Sequence, residues 1–206
     1  MSLTVLEHSL SGHLLTRLRD RETPPERFRV LTRALTQLLT MEGTRNLPTR
    51  AHNVSSPLEE VVGITLDVGL VAVPILRAGL GMLDAVLELL PDAAVGYVGL
   101  ERDEMTAIAS SYYCKLPALA GKTVLLLDPM LATGGSAAWA VNQLMLAGAE
   151  SIKLFCIVAA PEGVARLEES FPQLHIVTAT LDRELDARRY ILPGLGDFGD
   201  RLYGTF

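Results

Sequence analysis

From Gly69 onward the chain alternates short unbroken apolar runs with stretches whose apolar residues return every three or four positions. An apolar run with no polar alternation is the mark of a strand covered on both faces. The runs Leu70 to Pro74, Ala94 to Leu100, Thr123 to Leu127, Ile152 to Ala159 and His175 to Ala179 are predicted strands. Gly79 to Leu90, Ser136 to Ala147 and Glu162 to Ser170 are the predicted helices between them, the second stopped by Gly148. Strands and helices in this order predict an α/β fold with an open, mostly parallel sheet flanked by helices.

The first forty residues carry a different pattern. Leu6 to Asp20 has apolar residues at helical intervals, and Thr23-Pro-Pro-Glu26 reads as a capping box that opens a helix over Glu26 to Leu39. Thr40 to Pro57 is rich in Asn, Pro, Thr and Ser and reads as irregular. Leu58 to Leu66 alternates well enough for a strand or a hairpin arm. N-terminal helices and a β-arm therefore precede the sheet.

Composition narrows the function classes. A chain of 206 residues reads as one domain, and its 49% hydrophobic content holds no run long enough to span a bilayer and no signal-peptide pattern. A soluble, cytoplasmic protein is expected. The net charge of −6 disfavours broad binding to a nucleic-acid backbone. Cys114 and Cys156 form neither a disulfide framework nor a metal spacing, and the four histidines are scattered. A small anionic substrate remains compatible with an acidic chain, because a few arginines and main-chain amides make a locally positive pocket.

Candidate chemistry gathers at strand ends. In parallel sheets ligands bind beyond the carboxyl ends of the strands, which here means the loops after Pro74, Leu100 and Leu127. The last of these runs Asp128-Pro-Met-Leu-Ala-Thr-Gly-Gly-Ser136. Thr133 to Ser136 lies where the first amides of a helix lack partners, so a phosphate fits there, with glycines allowing close approach and two hydroxyls adding donors. Asp128, at the strand end, suits hydrogen bonding to sugar hydroxyls of the same ligand. The loop is neither a Walker A motif nor a GxGxxG turn.

A hydrophobic strand, an acid and a Thr-Gly-Gly loop resemble the 5-phosphoribosyl 1-diphosphate (PRPP) motif of the type I phosphoribosyltransferases. Those enzymes usually place two acids together, whereas Asp128-Pro129 here is similar to the uracil phosphoribosyltransferases. Val73-Pro-Ile-Leu-Arg-Ala-Gly-Leu-Gly81, Val158-Ala-Ala-Pro-Glu-Gly163 and Tyr190-Ile-Leu-Pro-Gly-Leu-Gly-Asp-Phe-Gly-Asp200 resemble the same family. Met41 to Leu47 is similar to its Tyr-Glu-Ala-Thr stretch and departs from it at Met41 and Gly43.

The resemblance implies an enzyme of one phosphoribosyltransferase domain, residues 1–206, that joins uracil and PRPP to give UMP and diphosphate. It implies Arg77, Arg102, Asp128 and Asp197 as catalytic residues. It places PRPP on these four and on Pro129, Met130, Leu131, Ala132, Thr133, Gly134, Gly135 and Ser136, and uracil on Ile191, Gly196, Asp197 and Phe198. Phe198 stands where relatives often have alanine. Glu101 to Thr106 is polar and aperiodic, and the resemblance makes it a cover that brings Arg102 to the diphosphate. Mg²⁺ is implied as a cofactor held chiefly through PRPP, with GTP as an allosteric activator and a homodimer or larger homo-oligomer as the assembly.

Plainer roles exist for several of these residues: Arg77 as a surface arginine, 101–106 as a solvated charge run, and the C-terminal stretch as a tail packed on the sheet. Trp139 is expected to pack on the sheet, and Met130 and Leu131 to shape the loop from below. Other readings are a purine or orotate phosphoribosyltransferase, which needs a different base segment, an RNA-binding sensor, which the acidic charge disfavours, and a catalytically silent relative.

Overall fold

The structure, a computed structural model, describes residues 2–102 and 109–205, with the main chain alone at 101, 102 and 109–111. In chain order it begins with the strand Ser2–Val5 (β1), the helices Ser9–Arg19 (α1) and Pro25–Gly43 (α2) and the strands Thr49–Ser55 (β2) and Glu60–Leu66 (β3). Gly69–Leu76 (β4), Leu80–Leu89 (α3), Ala94–Val95 (β5), Tyr97–Arg102 (β6) and Ala109–Lys115 (β7) follow. Next come Lys122–Leu127 (β8), Met130–Leu131 (β9), Gly135–Leu146 (α4), Ser151–Ala159 (β10) and Pro161–Ser170 (α5). His175–Leu181 (β11), Glu184–Leu185 (β12), Ile191–Leu192 (β13) and Phe198–Tyr203 (α6) complete the described elements.

The main sheet runs β1-β11-β10-β8-β4-β6-β7, with β5 beside β4 and β9 beside β10. Its pairings are parallel except for β6 with β7. Side chains alternate between two cores with the period of a strand. Ala72, Leu125, Leu127, Phe155 and Val177 face α1, α2, α3 and α6, whereas Val71, Val124, Leu126, Leu154 and Ile176 face α4 and α5. Because both faces are buried, both sets must be apolar, and the strands read as unbroken runs.

From β4 the chain goes through α3 to β6 on one side; from β8 it goes through α4 to β10 on the other. The connections diverge between β4 and β8, leaving a crevice at their carboxyl ends.

The N-terminal third corrects several expectations. Residues 2–5 form a strand that extends the sheet beside β11, and the first helix starts only after His8, whose Nδ1 accepts from the Leu10 amide at 3.1 Å. Thr23 does not cap α2: its hydroxyl donates to the Arg17 carbonyl at 2.6 Å and ties the corner, while Pro24 holds the capping position without a side-chain bond. The stretch read as irregular contains the end of α2 and all of β2, which pairs antiparallel with β3. Gly43 has a packing reason, since a Cβ there would overlap the ring of Phe155.

Candidate active site

The crevice predicted by the topology is a cleft of about 450 Å³. One wall carries Ile75, Arg77 and Ala78 from the end of β4; the floor carries Asp128, Met130, Ala132 and Ser136; the far wall carries Arg189 to Ile191 and Gly196 to Gly199. Leu100, near the end of β6, closes the rim.

The floor begins where β8 stops. The Asp128 amide donates to the Phe155 carbonyl at 3.1 Å, and the Pro129 carbonyl accepts from the amides of Ile157 and Val158. Those bonds fasten the loop to β10, and Leu131 is buried beneath it, as expected of a residue that shapes the loop from below, whereas Met130, expected there too, is half-buried and lines the cleft. Gly134 then turns into the left-handed region, at φ 75°, and α4 begins at Gly135. The amides at the start of α4 carry the positive end of its dipole. The Gly135 amide leans on Thr133 Oγ1 at 3.5 Å, so the threonine hydroxyl faces the same turn.

The Val158 to Gly163 motif supports this floor. The Ala160 amide donates to the Leu131 carbonyl at 2.8 Å, and a Cβ on Gly163 would overlap the Ala132 carbonyl. Only glycine lets α5 approach so closely. Gly163→Ala is expected to displace the loop at a cost of about 1–3 kcal/mol, raising the KM for the phosphorylated substrate about tenfold while the KM for the other substrate holds. Steady-state kinetics checks the split.

Arg77 leaves β4 through a cis Leu76–Arg77 peptide and is exposed at the cleft wall. Its carbonyl accepts from the Tyr203 hydroxyl at 3.1 Å. Burial pushes the Tyr203 phenol up, against the opposing influence of the Arg77 guanidinium, so the hydroxyl stays protonated and donates.

The far wall is a short hairpin, β12 against β13, followed by a glycine-rich turn. Asp182, at the end of β11, accepts two bonds from Arg19, at 2.9 and 2.5 Å, and one from the Gly194 amide at 2.9 Å. Arg19 also donates to the Gly194 carbonyl at 2.8 Å. Arg201 donates to the carbonyls of Leu18, Leu195 and Asp20 at 2.6, 3.0 and 2.6 Å and lies 4.5 Å over the Phe28 ring. Arg19 at the end of α1 thus holds Gly194, and Arg201 ties Leu195 to the same end of α1.

Asp197 caps α6, accepting from the Asp200 amide at 2.9 Å. The Phe198 ring meets Phe28 edge-on, 5.0 Å between centroids at 66°, and is buried in the core. Its side chain is therefore structural, and what it offers a ligand is main chain.

Of the residues expected in a site, Arg77, Asp128, Met130, Ala132, Ser136, Ile191, Gly196, Asp197 and Phe198 line one cleft. Pro129 and Leu131 lie behind its floor, and Thr133 to Gly135 form the turn at its edge. Arg102 ends β6 opposite Ala109; the expected cover from Asp103 to Thr106 lies outside the described residues. Arg189, Arg19, Asp182, Arg201 and Tyr203 were not singled out from sequence, and Tyr190 entered only as the first residue of a motif. Asp182 had a signal, because it follows an apolar strand as Asp128 does.

The remaining titratable groups stand apart. Burial pushes the Cys156 thiol up to about 12; a bond with Thr178 opposes this and the Asp128 charge adds to it, so the thiol is no nucleophile. His175 and Lys153, both held down by burial, belong to the amino ends of β11 and β10, opposite the cleft. Trp139 is half-buried against the α4-side core, as expected. No helix among the described residues is long and apolar enough to cross a membrane.

A sequence profile described as uracil phosphoribosyltransferase matches residues 5–205. The uracil phosphoribosyltransferase of Fervidobacterium nodosum is 48% identical over 205 residues, covering 98% of this chain and 99% of its own. That of Bacillus cereus is 46% identical over 205 residues, with 98% of each covered. Among solved structures, the AQ2163 protein from Aquifex aeolicus superposes with a TM-score of 0.94 at 37% identity, over 98% of both chains. A hypoxanthine-guanine phosphoribosyltransferase from Bacillus anthracis, 8% identical with a TM-score of 0.53 over 77% of this chain and 80% of its own, shares the fold alone.

Proposed function

The chain belongs to the uracil phosphoribosyltransferase family, and from that premise we propose that the cleft between β4 and β8 holds PRPP and uracil in one reactive complex. The protein is a pentosyltransferase that moves the 5-phosphoribosyl group of PRPP to N1 of uracil, giving UMP and diphosphate. The observation that carries the site assignment is the meeting, in one cleft, of an arginine, a strand-end carboxylate on an amide-rich turn and a braced glycine loop.

The three walls suit the three parts of the reaction. The turn from Ala132 to Ser136 takes the 5-phosphate on its amides and hydroxyls. Asp128, with Pro129 fixing its backbone, accepts from the ribose hydroxyls and holds the ring. As the bond from C1 to diphosphate breaks, the sugar acquires oxocarbenium character and the leaving oxygens gain charge. Arg77 points a guanidinium fork at those oxygens, and Arg102 adds a second when the cover closes over the reactants and excludes water. N1 of uracil bonds to C1 as the bond to diphosphate breaks, and the N1 proton leaves with the departing diphosphate.

Uracil shows two carbonyl oxygens with an N–H between them. Main-chain groups of Ile191, Gly196, Asp197 and Phe198 match that pattern, and cytosine would leave some of them unpaired. Phosphoribosyltransferases generally use PRPP with Mg²⁺. Asp128 and Asp197 offer hard carboxylate oxygens from the floor and the far wall of the cleft, while no cluster of three or more His, Cys, Asp or Glu side chains able to hold a metal occurs among the described residues. These residues fit a Mg²⁺ carried mostly by PRPP oxygens and water. When bound, the ion neutralises diphosphate charge.

An assay of PRPP and Mg²⁺ against uracil, cytosine, hypoxanthine and orotate, with and without GTP, tests the reading. UMP formation with uracil, and little product from the others, is expected; product from hypoxanthine or orotate instead would overturn the base assignment. Arg102→Ala is expected to lower kcat by about 10²-fold or more, the scale of a lost donor at developing charge, with the melting temperature unchanged. Unaltered turnover would remove Arg102 from the mechanism.

The chain acts as a single domain in the cytoplasm and assembles with copies of itself. Leu58 is 95% exposed, Ile64 79% and Val62 67% on the β2–β3 arm, a two-stranded ribbon too small to be stable uncovered. A second copy of this chain is the cover we assign. Leu58→Asp with Ile64→Asp is expected to yield monomers in sedimentation; an unchanged mass would place the interface elsewhere.

A further inference from the structure

We infer that Arg189 is an additional PRPP-recruiting residue, an electropositive wall absent from the family motifs quoted above. The inference rests on the reading of the cleft as the PRPP site.

Three observations support it. Arg189 lines the cleft beside Tyr190 and Ile191. It is the one non-glycine residue with positive φ, 68°, among those described. Bulky side chains rarely adopt that conformation, and holding one there costs on the order of 1–3 kcal/mol. The surroundings impose it. The Asp186 carboxylate accepts from the amides of Arg188 and Tyr190, each at 2.8 Å, and the Arg189 amide donates to the Asp186 carbonyl at 2.8 Å. Glycine would occupy this turn without strain. Arginine is present instead, exposed, and with no ion-pair partner among the described residues.

Charge in the cleft supplies the reason. The chain carries a net −6, and the cleft displays the carboxylates of Asp128 and Asp197. PRPP is a polyanion, and Arg77 alone would leave the described cleft side chains net negative. Arg189 balances them and focuses positive potential at the approach to the base wall. Its work belongs to capture of the anion rather than to the bond-making step. Uracil, being neutral, should not register it.

The test separates charge from backbone. Arg189→Gly relieves the positive φ and removes the charge, Arg189→Gln removes the charge alone, and Arg189→Lys keeps it. The expected result for Gly and Gln is a fall of about tenfold in kcat/KM for PRPP at low salt, the lower end of steering effects, with a flatter dependence on ionic strength. The KM for uracil and kcat hold, the melting temperature holds for Gln and rises for Gly, and Lys restores the salt dependence. If Arg189→Gly matches the parent in kcat/KM and in salt dependence, the inference is wrong. If Lys fails as badly as Gly and the melting temperature of both falls, the role is structural and the inference is equally wrong. Absence of UMP formation by the parent protein would instead strike the site reading itself.

Discussion

Asp128→Ala is expected to lower kcat/KM for PRPP by roughly 10²–10⁴-fold while leaving the fold standing. A carboxylate that accepts from two ribose hydroxyls makes charge-assisted bonds of about 1.5–3 kcal/mol each, and roughly 1.4 kcal/mol corresponds to each factor of ten in rate. The main-chain bonds that fasten this corner, from the Asp128 amide to Phe155 and from Ile157 and Val158 to Pro129, do not involve the side chain. Asp128→Asn keeps the shape and removes the charge, so it should fall between the parent and Ala. Circular dichroism melts read beside initial rates check both halves. A variant that retained full kcat/KM would show that the ribose is held by other groups, and the assignment of the cleft floor would fail with it.

Asp182→Ala should have the opposite profile, a large loss of stability with a selective loss of base binding. The Asp182 side chain is 3% exposed and that of its partner Arg19 is 24% exposed. Removing the carboxylate leaves the Gly194 amide without its acceptor and the largely enclosed Arg19 guanidinium with the Gly194 carbonyl but no counter-charge. Breaking a buried pair costs about 3–5 kcal/mol, and the residual exposure of Arg19 puts this one near the lower value. For a chain of this size that is a fall of roughly 6–12 °C in melting temperature. Because the bonds lost hold residue 194 and not residue 134, the KM for uracil should rise at a temperature where the variant is folded, with the KM for PRPP little altered. Equal changes in both constants would mean that Asp182 supports the sheet as a whole rather than the recognition loop.

What could be read from sequence divides along physical lines. Buried strands and the turns at their ends were legible because the two-sided core demands apolar runs and the loops must carry specific residue types. The runs later found as β4, β8, β10 and β11 are examples, as is the turn from Asp128 to Ser136. β2 was not legible: its residues are exposed on both faces, so no core writes an alternation into Thr49 to Ser55. β1 was not predicted, because four residues carry little pattern of their own and their partner, β11, lies more than 170 positions away. Thr23-Pro-Pro-Glu26 had the letters of a capping box, yet the threonine hydroxyl turns back to donate to the Arg17 carbonyl and Pro24 takes the capping position. The supports of the base wall were missed because an arginine such as Arg19 or Arg201 looks like any surface arginine until tertiary contacts bury its stem. Arg189 was missed for another reason, since a backbone angle leaves no trace in composition.

The clasp between α1 and the C-terminal loop joins residues 163 and 183 positions apart. Contacts that distant form only after most of the chain has condensed, since closing so long a loop has little to offset its entropy until the intervening sheet exists. On the site assignment proposed above, the loop that recognises the nucleobase is thus braced late, whereas the turn assigned to the phosphate needs only a neighbouring strand and helix. Under that assignment, discrimination between bases depends on the closed chain, and fraying at either end is expected to erase it before the turn from Ala132 to Ser136 comes apart.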